Sequence, residues 1–348
     1  GISMKWQGRK RSGNVKDLRG RNTGSGGLGG LGQGRSGGRI PIQLPGGRGT
    51  STGGRSLGCG SIILMLIIFF VFGGTSLLGG NQSSSSNNQS SDQTSQVDVQ
   101  LPGQMESNTQ IQANPNSQVS LPETGSTDSE TVTEDELAEF VSVILYDTEE
   151  YWTQAFSEAG YTYKAPDLVI FEDAVNSSCG YNTSEVGPFY CPTDETIYID
   201  LDFYNQLVKN YGGGGDFAMA YVIAHEVGHH VQQQLGLSDQ VRQIQSEVGQ
   251  TEQNQWTVRM ELQADYLAGV WAHNVVENDW MEAGDLEEGL NAAYHIGDDV
   301  LQEKAYGRTM PDSFTHGTAE QRQRWFKKGL EAGDLSQWDT YNISYDSL

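Results

Sequence analysis

The stretch DFAMAYVIAHEVGHHVQQQLG, from Asp216 to Gly236, places the strongest constraint on the fold, because it sets His225, Glu226 and His229 in an H-E-x-x-H pattern within one predicted helix. Asp216 is predicted to cap the N-terminus of this helix and Gly236 to end it, and apolar residues lie between the polar ones. Histidines four residues apart lie on the same helix face, about one turn from each other, which is the separation that two imidazoles need to share one tetrahedral zinc ion. The stretch therefore predicts a zinc-binding helix.

Glu226 directly follows the first histidine, so its carboxylate is expected beside the metal rather than bound to it. There it can take a proton from a zinc-activated water, as the general base of a zinc hydrolase does. The chain has only six histidines, and chance would give this pattern in about one such sequence in a hundred or fewer. The alternative is a helix that carries two surface histidines and no metal.

A third protein ligand is needed, since catalytic zinc usually keeps three protein ligands and one open position. The segment RMELQADYLAGVWAH offers Glu261, with Asp265 one helical turn further on. One carboxylate can then bind the metal while the other accepts a hydrogen bond from the far nitrogen of a ligand histidine. Paired acids are also common on solvated helix faces, but Leu262, Tyr266 and Trp271 help to make this helix largely apolar, so its acids need buried partners.

Charge divides the chain into regions. Residues 1–56 hold 11 of the 21 Lys and Arg and a single acidic residue, Asp17, whereas the chain after residue 80 holds 44 acidic and 10 basic residues. Residues 57–79 contain no charge over 23 positions, which is long enough for a helix to cross a hydrocarbon core of about 30 Å. By the positive-inside rule, this predicts one transmembrane helix with a cytoplasmic N-terminus and an outward-facing C-terminal domain. A signal peptide is the alternative, although the apolar stretch starts more than 50 residues into the chain.

Four regions are thus predicted. Residues 1–56 form a disordered, basic, Gly-rich cytoplasmic arm, and residues 57–79 form the transmembrane helix. Residues 80–130 form a flexible linker rich in Ser, Asn and Gln, and residues 131–348 form the zinc domain. The arm lacks interleaved aromatic residues after Trp6, so its expected partner is the membrane surface and not nucleic acid.

Hydrophobic periodicity in the C-terminal region predicts helices around a small sheet. Thr133 and Glu136 form a capping box at the start of a long amphipathic helix, and Thr318 with Gln321 forms another before the last helix. The other predicted elements are short strands at 167–172 and 195–200, helices at 256–278 and 286–304, and a helix or an excursion at 238–255. The predicted fold is therefore α+β, mainly helical with a small β-sheet, and preceded by a single transmembrane helix.

Cys179 and Cys191 stand twelve residues apart in the acidic region, on the side of the predicted membrane where disulfides persist. One disulfide across the loop between the two predicted strands is expected. Free thiols and a second metal site are the alternatives, and the lack of a C-x-x-C spacing disfavours the second metal site.

Several segments together resemble a family of bacterial membrane-anchored neutral zinc metallopeptidases: MKWQGR, CPTDETIYIDLDF, AYVIAHEVGHHVQ, ELQADYLAGVWAH and HGTAEQR. HEVGH with ELQAD also resembles the H-E-x-x-H and E-x-x-x-D pattern of the gluzincins, which include thermolysin-like peptidases. The resemblance implies a zincin-like fold. It further implies His225, His229 and Glu261 as zinc ligands, Glu226 as general base, and Asp265 as the support of a ligand. The 32-residue gap from His229 to Glu261 is longer than in thermolysin-like enzymes, so the third ligand depends on how the two helices pack.

His316, in FTHGTAEQR, is the candidate for stabilising the oxyanion that peptide hydrolysis produces. It precedes a predicted helix N-terminus, whose free N–H groups also favour negative charge. A histidine that only belongs to the cap region, without a catalytic role, is the alternative.

The predicted function is hydrolysis of peptide bonds in a peptide or protein substrate, with one zinc ion per chain. The predicted location is the bacterial cell membrane, with the zinc domain outside the cell. A non-catalytic, zinc-stabilised binding module would need the zinc ligands but not Glu226, so Glu226 favours an enzyme. The other alternative is a zinc amidohydrolase that acts on cell-wall material, which the acidic composition neither supports nor excludes.

Overall fold

The computed structural model describes residues 4–20, 132–211, 215–282 and 284–348. The predicted transmembrane stretch, nearly all of the linker and most of the basic arm lie outside these residues. Within them, no helix combines the length and the apolar character that a membrane crossing requires.

Most strands precede most helices along the described chain. The strands are β1 (Val15–Asp17), β2 (Asp167–Phe171), β3 (Ala174–Ser177), β4 (Gly180–Thr183), β5 (Phe189–Cys191) and β6 (Thr196–Asp200). The helices are α1 (Glu134–Glu158), α2 (Asp202–Tyr211), α3 (Asp216–Gln234), α4 (Leu237–Gln245), α5 (Gln250–Glu277), α6 (Asp285–His295), α7 (Asp298–Tyr306) and α8 (Ala319–Ala332). The predicted mainly helical α+β fold with a small sheet is confirmed.

Within the described residues, the main sheet has four strands in the order β1-β2-β6-β5. β1, β2 and β6 are parallel, β5 runs antiparallel to β6, and β3 and β4 form a separate antiparallel hairpin. Both predicted strands are present, as β2 and β6, and their aliphatic residues Leu168, Ile170, Ile197 and Ile199 are fully buried. Burial on this scale is what their β-branched, apolar composition favours.

The prediction of disorder over residues 1–56 is wrong for residues 4–20. The side chains of Met4 and Trp6 are 1% and 4% exposed within the hydrophobic core, and Val15 to Asp17 form β1. Composition averaged over a long Gly-rich region concealed this short segment, which carries its own apolar anchors.

The helix predicted at 286–304 is divided into α6 and α7 at Ile296 and Gly297. A Cβ atom at Gly297 would overlap the backbone of Ala319, so this turn lies against the start of α8 and only glycine fits. The segment 238–255 contains all of α4 except its first residue, then a turn and the first six residues of α5.

The helix caps agree closely with prediction. The capping boxes at Thr133 and Thr318 are both present. Gly236 follows the end of α3 in the left-handed conformation, as expected of a C-terminal glycine. The predicted N-cap Asp216 is instead the first residue of α3, after Gly215 as N-cap, and its carboxylate accepts the N–H of Phe217.

Three helices pack closely in the core, and small residues allow the approach. A Cβ atom at Gly228 of α3 would lie 3.1 Å from the carbonyl oxygen of Ala264 on α5. On the other side of α5, Gly269 and Gly329 leave no room for a side chain between α5 and α8. The backbones of α3, α5 and α8 can therefore bring their polar side chains together in the interior.

The predicted disulfide between Cys179 and Cys191 is present. It ties the residue before β4 to β5 and lies beside a small second core around Phe171, Phe189 and Tyr198. The crosslink thus fixes the β3–β4 hairpin to the edge of the main sheet.

Candidate metal centre

Helices α3 and α5 bring His225, His229 and Glu261 together inside the domain. Nε2 of His225 lies 3.1 Å from Oε2 of Glu261, and Nε2 of His229 lies 3.3 Å from Oε1 of the same carboxylate. One potential ligand atom from each residue lies within 4.8 Å of the others, so the group could hold a metal ion. The 32 residues between His229 and Glu261 do not keep Glu261 away from the histidines, because α5 packs directly on α3.

The far side of each imidazole is held by an oxygen. Nδ1 of His225 lies 2.8 Å from Oδ1 of Asp265, and Nδ1 of His229 lies 2.9 Å from Oε1 of Gln232. These oxygens accept, so Nδ1 of each ring carries a proton, and Nε2 is the atom of each ring that faces Glu261. Two imidazole nitrogens and a carboxylate, arranged in this way, fit the donor preference of zinc.

A buried ion pair holds Asp265 in place. Nε of Arg322, on α8, donates to Oδ2 of Asp265 at 2.9 Å, and its Nη2 donates to Oδ1 at 3.0 Å. The hydroxyl of Tyr221 donates to Oδ1 at 2.6 Å. Asp265, which was predicted to support a ligand histidine, thus contacts His225 and belongs to a network that also contains Arg322 and Tyr221. The sequence offered one signal for it, since Arg322 ends the quoted motif HGTAEQR.

The network sets the charge of its acids. Burial raises the pKa of Asp265, but the Arg322 guanidinium and the His225 imidazole together outweigh this effect, so the net pKa is below the usual value. Burial also raises the pKa of Glu261, and the neighbouring imidazoles bring it well below its usual range. Burial lowers the pKa of His225, and Asp265 and Glu261 outweigh this and raise it to about 10. Both acids are therefore held as carboxylates.

Glu226 lies between the two histidines on α3 and is largely buried. Burial raises the pKa of this carboxyl, and the charges of His225 and His229 oppose the shift without cancelling it. A carboxylate with a raised pKa is a better proton acceptor than an ordinary glutamate.

His316 lies in the loop before α8, almost fully buried. Oδ2 of Asp298, the first residue of α7, accepts the backbone N–H groups of Thr315, His316 and Gly317 at 2.6–3.1 Å. Its other oxygen lies 3.3 Å from Nδ1 of His316. Nε2 of His316 is therefore the ring nitrogen that Asp298 does not hold. The charge of the ring helps to lower the pKa of Glu261, by less than the charge of His229 does.

Gln232, Asp298, Arg322 and Tyr221 were not predicted as site residues. Each acts on a residue that the motifs identified: Gln232 on His229, Asp298 on His316, and the other two on Asp265. Gln232 stands one turn after His229, and this local spacing could have indicated its contact. The other three contacts join separate elements.

Known proteins match the part of the chain that contains the metal group. A family model described as "Putative neutral zinc metallopeptidase" matches residues 101–341. The uncharacterized protein YpfJ of Escherichia coli (strain K12) is 53% identical over 219 residues, which cover 63% of this chain and 76% of YpfJ. The uncharacterized protein Rv2575 of Mycobacterium tuberculosis (strain ATCC 25618 / H37Rv) is 43% identical over 194 residues, which cover 52% of this chain and 64% of Rv2575.

No solved structure matches the chain. The family match nevertheless spans well over half of the sequence and contains every residue of the metal group. Its description implies zinc, in agreement with the two imidazoles and one carboxylate that α3 and α5 bring together. This chain belongs to that neutral zinc metallopeptidase family, as its motifs predicted.

Proposed function

We propose that the protein is a zinc-dependent peptidase in which His225, His229 and Glu261 hold one zinc ion per chain. The observation that carries the proposal is the orientation of the two imidazoles: Asp265 and Gln232 hold both Nδ1 atoms, so both Nε2 atoms face Glu261. A ligand set prepared in this way is what a zinc hydrolase requires.

A zinc ion bound there would polarise the scissile carbonyl and activate a water molecule. Glu226 accepts the proton of that water and returns it to the leaving amine. Nε2 of His316 donates to the developing oxyanion, and Asp298 positions the ring for this task. Asp265, fixed by Arg322, keeps His225 in the correct tautomer and orientation.

The proposed substrates are peptides or unfolded protein segments, and nucleic acid is not an expected partner. Residues 57–79 would anchor the protein to the bacterial cell membrane, since they offer 23 consecutive uncharged positions. An anchor of this kind confines the peptidase to substrates at that membrane.

The test uses the full chain, purified with zinc, and its Glu226→Gln variant. Zinc content is measured by elemental analysis, and cleavage is measured on an unfolded protein, on short peptides and on cell-wall fragments. We expect equal zinc in both proteins and a decrease in peptide cleavage of about 10²–10⁴-fold in the variant, the usual contribution of a general base. Glu252→Gln, at an exposed position of α5, is the matched control and should cleave like the parent.

The other outcomes separate the alternatives. Cleavage of wall fragments without cleavage of peptides would identify an amidohydrolase. Zinc binding without any cleavage by the parent protein would favour a binding module. A parent protein without zinc would overturn the proposal at its first step.

A further inference from the structure

We infer that residues 4–20 and the domain formed by residues 132–348 lie on the same side of any membrane that this chain meets. The inference does not depend on the proposed peptidase activity, but it excludes a single crossing as the way in which residues 57–79 would anchor the protein. It follows from the way in which the N-terminal segment, defined here as residues 4–20, is built into the domain.

The segment contributes to the hydrophobic core. Met4 and Trp6 are almost fully buried, and the Trp6 ring packs edge to face on Phe140 of α1 with ring centroids 5.6 Å apart. Side chains of this size, buried to this extent, belong to the folded core and not to a transient surface contact.

The beginning of the segment reaches the helix that carries the metal group. The backbone N–H of Met4 donates to the carboxylate of Asp216, the first residue of α3. The N–H of Lys5 donates to the carbonyl oxygen of Trp280 at 2.9 Å, and the Arg9 guanidinium lies 3.5 Å from the centre of the Trp280 ring. These contacts connect the segment to the N-terminal end of α3 and to the loop after α5.

The remainder of the segment joins α1 and the sheet. Oγ of Ser12 and Nδ2 of Asn14 donate to Oε1 of Glu149 at 2.6 and 2.9 Å. β1 pairs in parallel with β2, with Val15 opposite Leu168, and so forms one edge of the main sheet. A strand and its hydrogen-bonded neighbour cannot lie on opposite sides of a bilayer, because no water or lipid separates their backbones.

The charges of the segment have partners within the domain. Arg11 pairs with Glu139, Lys16 with Asp167 at 2.6 Å, and Lys5 with Asp279 at 2.9 Å. The positive-inside rule counts basic residues as a signal that retains a region in the cytoplasm. Here these basic residues contribute to a protein surface, so they are a poor guide to topology.

This differs from the predicted topology, in which a single crossing at 57–79 separates a cytoplasmic N-terminus from an outward domain. One crossing between two regions places them on opposite sides, whereas the pairing of β1 with β2 requires the same side. The inference concerns only these two described regions.

Thiol labelling tests the inference in the full chain. Gly13 and Gly249 are both exposed, and a Cβ atom at either meets no atom of the described residues within 4 Å, so cysteine should be tolerated at both. Gly13→Cys and Gly249→Cys are made separately in a Cys59→Ser background, and spheroplasts of the expressing bacterium are treated with a membrane-impermeant maleimide before and after lysis. The Cys59→Ser chain without an added cysteine is the control.

We expect the two positions to react alike, either both in intact spheroplasts or both only after lysis. Reaction of one position in intact spheroplasts and of the other only after lysis would overturn the inference.

Chemical crosslinking gives a second measurement that no new cysteine can disturb. Nζ of Lys16 lies 2.6 Å from Oδ2 of Asp167, so a carbodiimide should join them through an amide in the purified full chain. Mass spectrometry of the digest should find this crosslink in the parent and not in Lys16→Arg, which keeps the charge but lacks the reactive amine. Its absence from the parent would contradict the strand pairing on which the inference depends.

Discussion

Two groups of three ionisable side chains each include residues of α3, and the pKa values of their glutamates are shifted in opposite directions. The metal group is His225, His229 and Glu261, and the acidic group is Asp216, Asp285 and Glu288 at the N-terminal end of α3. In each group the potential ligand atoms lie within 4.8 Å of one another.

The glutamates of the two groups show the difference. Burial raises the pKa of both carboxyl groups. The imidazoles around Glu261 reverse this effect and bring its pKa well below the usual range. Around Glu288, the negative charges of Asp216 and Asp285 add to the effect of burial and raise the pKa of this carboxyl group to about 8. Similar spacing therefore does not make two equivalent metal sites, since the neighbouring charges decide whether a buried carboxyl group is ionised.

The largest expected effect is a loss of stability when the buried ion pair between Arg322 and Asp265 is broken. Arg322→Met should lower the free energy of unfolding by about 3–5 kcal/mol, because it leaves the Asp265 carboxylate buried without its bidentate partner. Urea denaturation at fixed zinc concentration measures this change.

Lys327→Met is the control on the same helix, since Lys327 is exposed and pairs with Glu331 at 3.7 Å on the surface. That variant should lose only about 0–1 kcal/mol. Equal losses in the two variants would show that the buried pair does not support the metal group.

A smaller effect, on zinc affinity, tests whether Gln232 orients the His229 ring. Gln232→Leu removes the oxygen that holds Nδ1 of His229, and we expect zinc affinity to decrease about 10–100-fold. Competition with a chromogenic zinc chelator measures the affinity under conditions in which the variant remains folded.

Two variants make this second result specific. Gln233→Leu is the matched control, because the Gln233 side-chain oxygen has no hydrogen-bond partner within the described residues. Glu288→Gln should also leave the affinity unchanged if zinc occupies the metal group and not the acidic group. A tenfold loss in Glu288→Gln would remove the distinction between the two groups.

Sequence reasoning identified the parts of the site whose geometry is local. His225 and His229 share a helix face because they stand four residues apart, and the same spacing links Glu261 to Asp265. The capping boxes and the twelve-residue disulfide loop are local in the same sense, and both were predicted.

The elements that were missed depend on contacts between distant positions. Arg322 meets Asp265 across 57 residues, and β1 pairs with β2 across more than 150 residues. Neither contact joins residues at a spacing set by a helix or a strand, so the hydrophobic periodicity of the sequence cannot predict it. Residues 4–20 show this most clearly, because the prediction averaged their composition with that of the Gly-rich residues that follow, and Met4 and Trp6 are buried only by contacts with the distant folded domain.

The smallest expected effect tests the acidic group through the pH dependence of stability. The folded state raises the pKa of Glu288 to about 8, mainly through burial, from a usual value of about 4.5. A carboxyl group with a raised pKa contributes its full stability below the unfolded pKa and loses it as the pH rises through the folded value. Glutamine resembles the protonated form and does not titrate, so Glu288→Gln should match the parent at about pH 4 and melt at a higher temperature at about pH 9.

Partial exposure of Glu288 screens the repulsion, so we expect a gain of only about 1 kcal/mol at the alkaline end, or about 2–4 °C in Tm for a domain of this size. Thermal unfolding at fixed zinc concentration across this pH range measures the gain. Glu287→Gln, at the exposed neighbouring position of α6, should follow the parent throughout. If the curves of Glu288→Gln and the parent instead stay parallel from acid to alkaline pH, then the pKa of Glu288 is the same in the folded and unfolded states. Glu288 would then be ionised at neutral pH, as Glu261 is, and the two groups would not differ in the charge of their glutamates.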